Sequence, residues 1–300
     1  MPDGISWERD GRDWPNREAS RFVRAAGLRW HVQRMGHGPV MLLIHGTGAA
    51  THSWRALAPL LARRFTVVAP DLPGHGFTDP LPGHRLTLPG MARALRDLLR
   101  ALGAADPVVA VGHSAGAAIL VRMSLDGMIA PLALVGLNAA MLPPPGGFGD
   151  VAQPIARLVA RTPFLPQFFA WRAGSGAMVD GLLRGTGSTI DPAGAALYQR
   201  LARTPRQVAG ALGMMAGWDL RPLARDLPRL KPRLTLVVGT NDGMVPPSEA
   251  ERARALLPTT EVIAMPGLGH LAHEERPEAV AAIIERVACA AGALPVEAVA

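Results

Sequence analysis

Five consecutive residues, Gly112-His113-Ser114-Ala115-Gly116, have the types and spacing of a nucleophile turn. They follow the apolar run VVAV at 108–111 and precede the helical run AAILVRMSL at 117–125. Gly-x-Ser-x-Gly between a strand and a helix lets the backbone turn sharply enough to raise the serine hydroxyl above the strand ends. Elsewhere the same pattern is common by chance and marks a small-residue turn that packs a helix on a sheet. The flanking runs predict a true nucleophile at Ser114.

A serine hydroxyl is a weak nucleophile at neutral pH, so it needs a base, and the base needs a group that orients it. Turns of this kind supply them in the chain order Ser, acid, His. His270 fits the last role: it lies in PGLGHLAHE directly after the apolar run EVIAM (261–265), where a loop can return it to the strand ends. Of the other eight histidines, His45, His75 and His113 adjoin loop glycines and read as structural, whereas His31, His37, His52 and His84 lie far upstream. His273 is the nearest rival, but beside Glu274 and Glu275 it reads as part of a solvated helix face. For the acid, Asp242 follows the run LTLVVG (234–239) in Gly-Thr-Asn-Asp-Gly, between nucleophile and base in the required order. An aspartate there could also serve only as a turn former. The end of the preceding run carries Asn138, which cannot hold a negative charge.

Charge that develops on a carbonyl oxygen needs two backbone N–H groups aimed at it. One is expected from Ala115, the residue after the nucleophile, and the other from Thr47 in the loop His45-Gly46-Thr47-Gly48. That loop does not complete the Gly-x-Gly-x-x-Gly of a dinucleotide site. The chain has one lysine, Lys231, followed by Pro232, so it contains no Walker-type ATP site. A metal reading of His270, His273 and Glu274 is weak because no second cluster completes a coordination shell. No metal and no cofactor is expected. The single cysteine, Cys289, reads as a small core residue.

These residues must be positioned by a sheet. Apolar runs at 40–44, 65–69, 108–111, 131–137, 234–239 and 261–265 alternate with helical stretches, the pattern of a parallel sheet covered on both faces. Met91, Leu95, Leu98, Leu99 and Leu102 recur at helical spacing, with Thr87 and Pro89 at a plausible helix start. RFVRAAG and LRWHVQRMG read as an antiparallel hairpin at the sheet edge. The rhythm stops after Asn138 and resumes near Leu234, which divides the chain into a core of residues 1–138 and 231–300 and a helical cap insertion at 139–230. The insertion holds ten Arg against five Asp and seven of the fourteen aromatic residues.

The 300 residues include 33 Gly and 28 Pro spread without period, and 49% are hydrophobic, which is a globular composition. A net charge of +7 carried almost wholly by Arg reads as compositional bias, and no nucleic acid is expected as a partner. The apolar stretch from Val280 to Val299 is interrupted by Glu285, Arg286, Pro295 and Glu297, too often for a membrane span. The residues from Met1 to Arg24 do not read as a secretory signal. A cytoplasmic protein is expected, either free or at the periphery of the inner membrane.

The motifs HGTG, DLPGHG (71–76), GHSAG, NDGMVP (241–246) and GHLAHEERPE (269–278) resemble those of the α/β-hydrolase superfamily from about Phe22 to Ala290. The resemblance implies an α/β-hydrolase fold: a mostly parallel eight-stranded sheet with helices on both faces and an inserted helical cap. Ser114 separates the chain from the haloalkane dehalogenases and epoxide hydrolases, which carry Asp at the turn. The block WPNREASRFVRAAGLRWHVQRMG, with HGTGAATHSWR and FTVVAPDLPGHGFTDP, is similar to the magnesium-chelatase accessory proteins of bacteriochlorophyll biosynthesis in photosynthetic bacteria. That similarity implies a pathway, help with Mg insertion into protoporphyrin, and leaves the reaction undefined.

Two functions follow as expectations. In the first, Ser114, Asp242 and His270 hydrolyse an ester or related acyl group, with Thr47 and Ala115 binding the oxyanion. In the second, the chain is a non-catalytic accessory protein that holds a porphyrin or contacts the chelatase. A complete proton-transfer chain favours the first. In the cap, Phe168 and Trp171 beside Arg161 and Arg172 fit a substrate pocket, in which the rings pack on a porphyrin and the guanidinium groups pair with its propionates. The same group fits an anionic membrane interface, or aromatic packing on the main sheet.

Overall fold

In a computed structural model, residues 4–144, 165–174 and 176–294 are described. Eight strands form one sheet: β1 (Ser20–Ala25), β2 (Leu28–Met35), β3 (Val40–Ile44), β4 (Thr66–Pro70), β5 (Val109–His113), β6 (Ala133–Leu137), β7 (Arg233–Gly239) and β8 (Glu261–Met265). Their order is β1-β2-β4-β3-β5-β6-β7-β8. The β1–β2 and β2–β4 pairs are antiparallel and the rest are parallel. The edge hairpin closes with Ala25 opposite Leu28 through a two-residue turn in which Ala26 (φ 54°) and Gly27 (φ 79°) both have positive φ. Two such residues give the loop the twist that the flanking strands require.

The central strands are apolar along their whole length because both faces are covered. Leu42, Ile44, Val68, Ala110, Leu134 and Leu236 belong to one core, with the helices α3 (Leu88–Ala101) and α4 (Ala115–Leu125). Met41, Leu43, Val67, Val109, Val111 and Val237 point the other way, against α2 (Leu57–Leu61) and the C-terminal α12 (Pro277–Ala290). Burial of each Leu, Ile, Val or Met among them stabilises the fold by about 1.5–3 kcal/mol. Helix α3 begins where the sequence indicates it: the Thr87 hydroxyl accepts the Gly90 N–H at 3.2 Å. Cys289 is partly buried beside the second core.

Between β6 and β7 the regular elements among the described residues are helical: α5 (Leu165–Ala173), α6 (Ala177–Gly185), α7 (Pro192–Ala202), α8 (Pro205–Gly217) and α9 (Arg221–Asp226). Helices α7, α8 and α9 carry Pro at the first or second position, where the missing N–H leaves no helical bond unmade. A third core, Trp14, Ala50, Phe77, Leu197 and Leu201, joins α7 to the N-terminal segment and to the loops after β3 and β4. No helix among the described residues is long and apolar enough to cross a membrane.

Candidate active site

Ser114 stands between β5 and α4 with φ 50° and ψ −119°, a conformation that non-glycine residues rarely adopt. Both flanking glycines are sterically obligatory. A Cβ at Gly112 would collide with the Ala117 backbone, and one at Gly116 would collide with the Ile44 carbonyl of β3. The turn is anchored by the Ser114 N–H, which donates to the Leu137 carbonyl at the end of β6 (2.9 Å). Ala115 opens α4, so its N–H is one of the four that no helical carbonyl can satisfy.

His270 and Asp242 meet at the neighbouring strand ends, with His270 Nδ1 and Asp242 Oδ2 2.8 Å apart in a buried contact. Asp242 Oδ1 accepts the N–H groups of Met244 (2.7 Å) and Val245 (2.9 Å), and its Oδ2 accepts Asn138 Nδ2 (2.7 Å). Burial pushes the Asp242 carboxyl up, but the His270 ring and the two N–H groups outweigh it and hold the pKa below the ordinary carboxylate value. Asp242 is therefore charged at neutral pH, and with Nδ1–H committed to it, His270 keeps Nε2 free to accept a proton. No hydrogen bond joins Ser114 Oγ to His270 Nε2 here; such bonds commonly tighten only around substrate.

The link between them runs through His113. Its Nε2–H donates to the His270 carbonyl (2.9 Å), and its ring lies 4.7 Å from that of His270. The insertion holds the same loop: the His270 N–H donates to the Thr186 carbonyl (2.9 Å), and the Leu271 N–H donates to Ser188 Oγ (2.8 Å). Of the residues named from the sequence, Asp242 and His270 are brought into contact; the contacts of Asn138, Thr186 and Ser188 were not foreseen, because they join residues 83 to 104 positions apart. An amide at the end of a strand beside the acid was the one signal available for Asn138.

His273 and Glu274 correct the expectation of a solvated face, because both are buried. The short helix α11 (Ala272–Glu275) turns them inward, where Ser53 Oγ lies 2.9 Å from His273 Nε2 and donates to Glu274 Oε1 (2.7 Å). Glu274 also accepts from Tyr198 (2.6 Å) and from Arg55, and Arg55 pairs with Asp191 (2.8 Å). The neighbouring glutamates were misleading because Tyr198 of α7 packs over this face.

Thr47 lies on the loop after β3, and its hydroxyl faces Met214 Sδ of α8 at 3.6 Å. Phe168 and Trp171 are 51% and 72% exposed, with ring centroids 6.1 Å apart, so they do not pack on the main sheet. Arg172 is also exposed. Arg161 lies outside the described residues. Among the described residues no group of three His, Cys, Asp or Glu side chains could hold a metal ion.

A doubly covered sheet of this strand order, with a strained serine turn and a His–Asp pair at the strand ends, is the α/β-hydrolase architecture. The model of the α/β-hydrolase family matches residues 41–283, and the chain belongs to that family. It is 38% identical over 274 residues to the magnesium-chelatase 30 kDa subunit of Rhodobacter capsulatus, covering 91% of this chain and 95% of that protein. It is also 29% identical over 276 residues to the 2-(acetamidomethylene)succinate hydrolase of Mesorhizobium japonicum, covering 86% of this chain and 91% of that enzyme. The crystal structure of an α/β-hydrolase fold protein from Burkholderia ambifaria superposes with a TM-score of 0.75 at 24% identity, over 89% of this chain and 97% of that one.

Proposed function

We propose that the chain is a serine hydrolase acting on an ester or related acyl group. The observation that carries this reading is the 2.8 Å His270–Asp242 contact beside a serine held in a strained strand-to-helix turn. Ser114 Oγ attacks the acyl carbonyl while His270 Nε2 takes its proton. The oxyanion that forms is bound by the N–H groups of Thr47 and Ala115. As the tetrahedral species collapses, His270 returns the proton to the leaving group, and the acyl chain stays on Ser114. Water, deprotonated by the same imidazole, then releases the acid and restores the serine. Asp242 holds the ring and stabilises the imidazolium formed in each half.

Similarity to the chelatase 30 kDa subunit over nearly the whole chain supports an accessory role in Mg insertion into protoporphyrin, with the chelatase as partner. In this reading residues 139–230 cap a cleft at the strand ends of the core, and the substrate is a porphyrin or an acyl ester. Exposed Phe168 and Trp171 favour contact with a flat apolar ring or with a membrane surface at the cytoplasmic side. The catalytic reading is tested by labelling with a fluorophosphonate. Wild type should label and hydrolyse p-nitrophenyl acetate, whereas Ser114→Ala should do neither. Equal labelling of both would leave the non-catalytic binding role.

A further inference from the structure

Helix α8 of the insertion meets the loop after β3 through one face. Gln207, Gly210 and Met214, spaced three and four residues apart, are all buried on it. Gln207 bridges two core loops. Its Nε2 donates to the Gly48 carbonyl (3.0 Å) and to the Ala49 carbonyl (3.3 Å), and its Oε1 accepts the Gly76 N–H (2.8 Å). The amide thus spends both its donors and its acceptor on backbone, an assignment that leaves no polar group of the side chain unmet. Three residues on, Gly210 approaches Gly74 so closely that a Cβ would collide with the Gly74 carbonyl. One turn further, Met214 Sδ receives the Thr47 hydroxyl.

The opposite side of this loop is held from below. The Thr51 N–H donates to Asp71 Oδ1 (2.7 Å), and Asp71 Oδ2 accepts the Phe77 N–H (2.9 Å). The segment from Gly46 to Thr51 therefore lies between a carboxylate of the core and an amide of the insertion. Without Gln207 two backbone carbonyls would lose their partner, and the loop would lose its upper support.

We infer that Gln207 is a positioning residue for oxyanion stabilisation: through Gly48 and Ala49 it fixes the direction of the Thr47 N–H. The inference rests on the catalytic reading above and adds that the insertion sets the electrostatics of the chemical step, beyond any role in covering the substrate. An N–H displaced by about 1 Å loses much of its effect on a developing charge, on the order of 100-fold in rate.

The test uses the full chain, p-nitrophenyl acetate and an alkylboronic acid, whose serine adduct carries a negative oxygen where the oxyanion forms. Gln207→Met keeps the side-chain volume and removes the bridge. Its kcat should fall about 10- to 100-fold with KM changed less than about two-fold, and boronate affinity should weaken by a similar factor. Met214→Leu, a volume-conserving change, should give a smaller loss of the same kind and guards against a misfolded Gln207 variant. Variants with lowered Tm but unchanged kcat and boronate affinity, or with raised KM alone, would overturn the inference while wild-type turnover leaves the hydrolase reading intact. A wild type that neither labels nor turns over ester would remove both.

Discussion

Asn138 donates Nδ2–H to Asp242 Oδ2 at 2.7 Å, the same carboxylate oxygen that contacts His270 Nδ1. Asn138 sits at the end of β6 with φ 47°, and its N–H is held by the Val237 carbonyl of β7, so the amide is aimed at the acid by the sheet itself. An uncharged donor here favours the ionised form of Asp242.

Replacing Asn138 by Asp would set two buried carboxylates against each other, and the pair would have to take up a proton at neutral pH. We expect Asn138→Asp to lower kcat at pH 7 at least 10-fold and to lower Tm by about 5 °C. Thermal unfolding and a pH–rate profile with a new ionisation check this; a profile identical to that of wild type would contradict it.

The strain at Ser114 predicts a trade of activity for stability. Glycine adopts φ 50° and ψ −119° at little steric cost, whereas alanine, like serine, is strained there. Ser114→Gly should therefore be more stable than Ser114→Ala by about 1 kcal/mol in urea, with both lowering turnover by roughly 10⁴-fold or more. Equal stabilities would mean that the turn is unstrained.

Burial should make the fold labile to acid. Burial lowers the pKa of His52, His75 and His273 to about 3 each, with nearby positive charges adding to the effect. The unfolded chain takes up these protons from about pH 6.5 downward and the folded chain does not, so each site removes about 1.4 kcal/mol of stability per pH unit. Asp71 adds to the loss below about pH 4. Burial pushes its carboxyl up, but His31 and the other groups around it outweigh this and bring the pKa to about 2. Circular dichroism should show unfolding between about pH 4 and 5. His52→Leu, at a ring whose two nitrogens have no hydrogen-bond partner, should reduce proton uptake on unfolding by about one. An unchanged pH dependence in that variant would exclude His52 as a contributor.

Tyr198 joins the insertion to a buried charge, because its hydroxyl donates to Glu274 at 2.6 Å. A hydrogen bond to a charged acceptor contributes about 1.5–3 kcal/mol. Tyr198→Phe should destabilise the chain by about that amount and speed hydrogen exchange over residues 188–204 more than in the central strands. Exchange raised uniformly across the protein would argue against a local role.

Much of this molecule is legible in the sequence, because its signals are local. Strands β3 to β8 are short runs of adjacent apolar residues, α3 carries its own cap at Thr87, and the edge hairpin closes within two residues. The serine turn is equally local, since Gly112 and Gly116 are required by atoms next to Ser114 or one strand away. Asp242 and His270 were named by their order along the chain, which reflects the order of the strands that carry them, and the fold brings the two into contact. Tertiary structure alone decided the rest. Whether Glu274 faces water or Tyr198 depends on where α7 lies, and whether an amide at position 138 or 207 matters depends on which backbone or carboxylate approaches it. Those approaches join residues 76 to 159 positions apart, as in Tyr198–Glu274 and Gln207–Gly48, and no periodicity in the chain encodes such a distance. A hydrophobic pattern specifies which face of an element is buried, but a hydrogen bond between distant polar atoms exists only once packing has brought both to within about 3 Å.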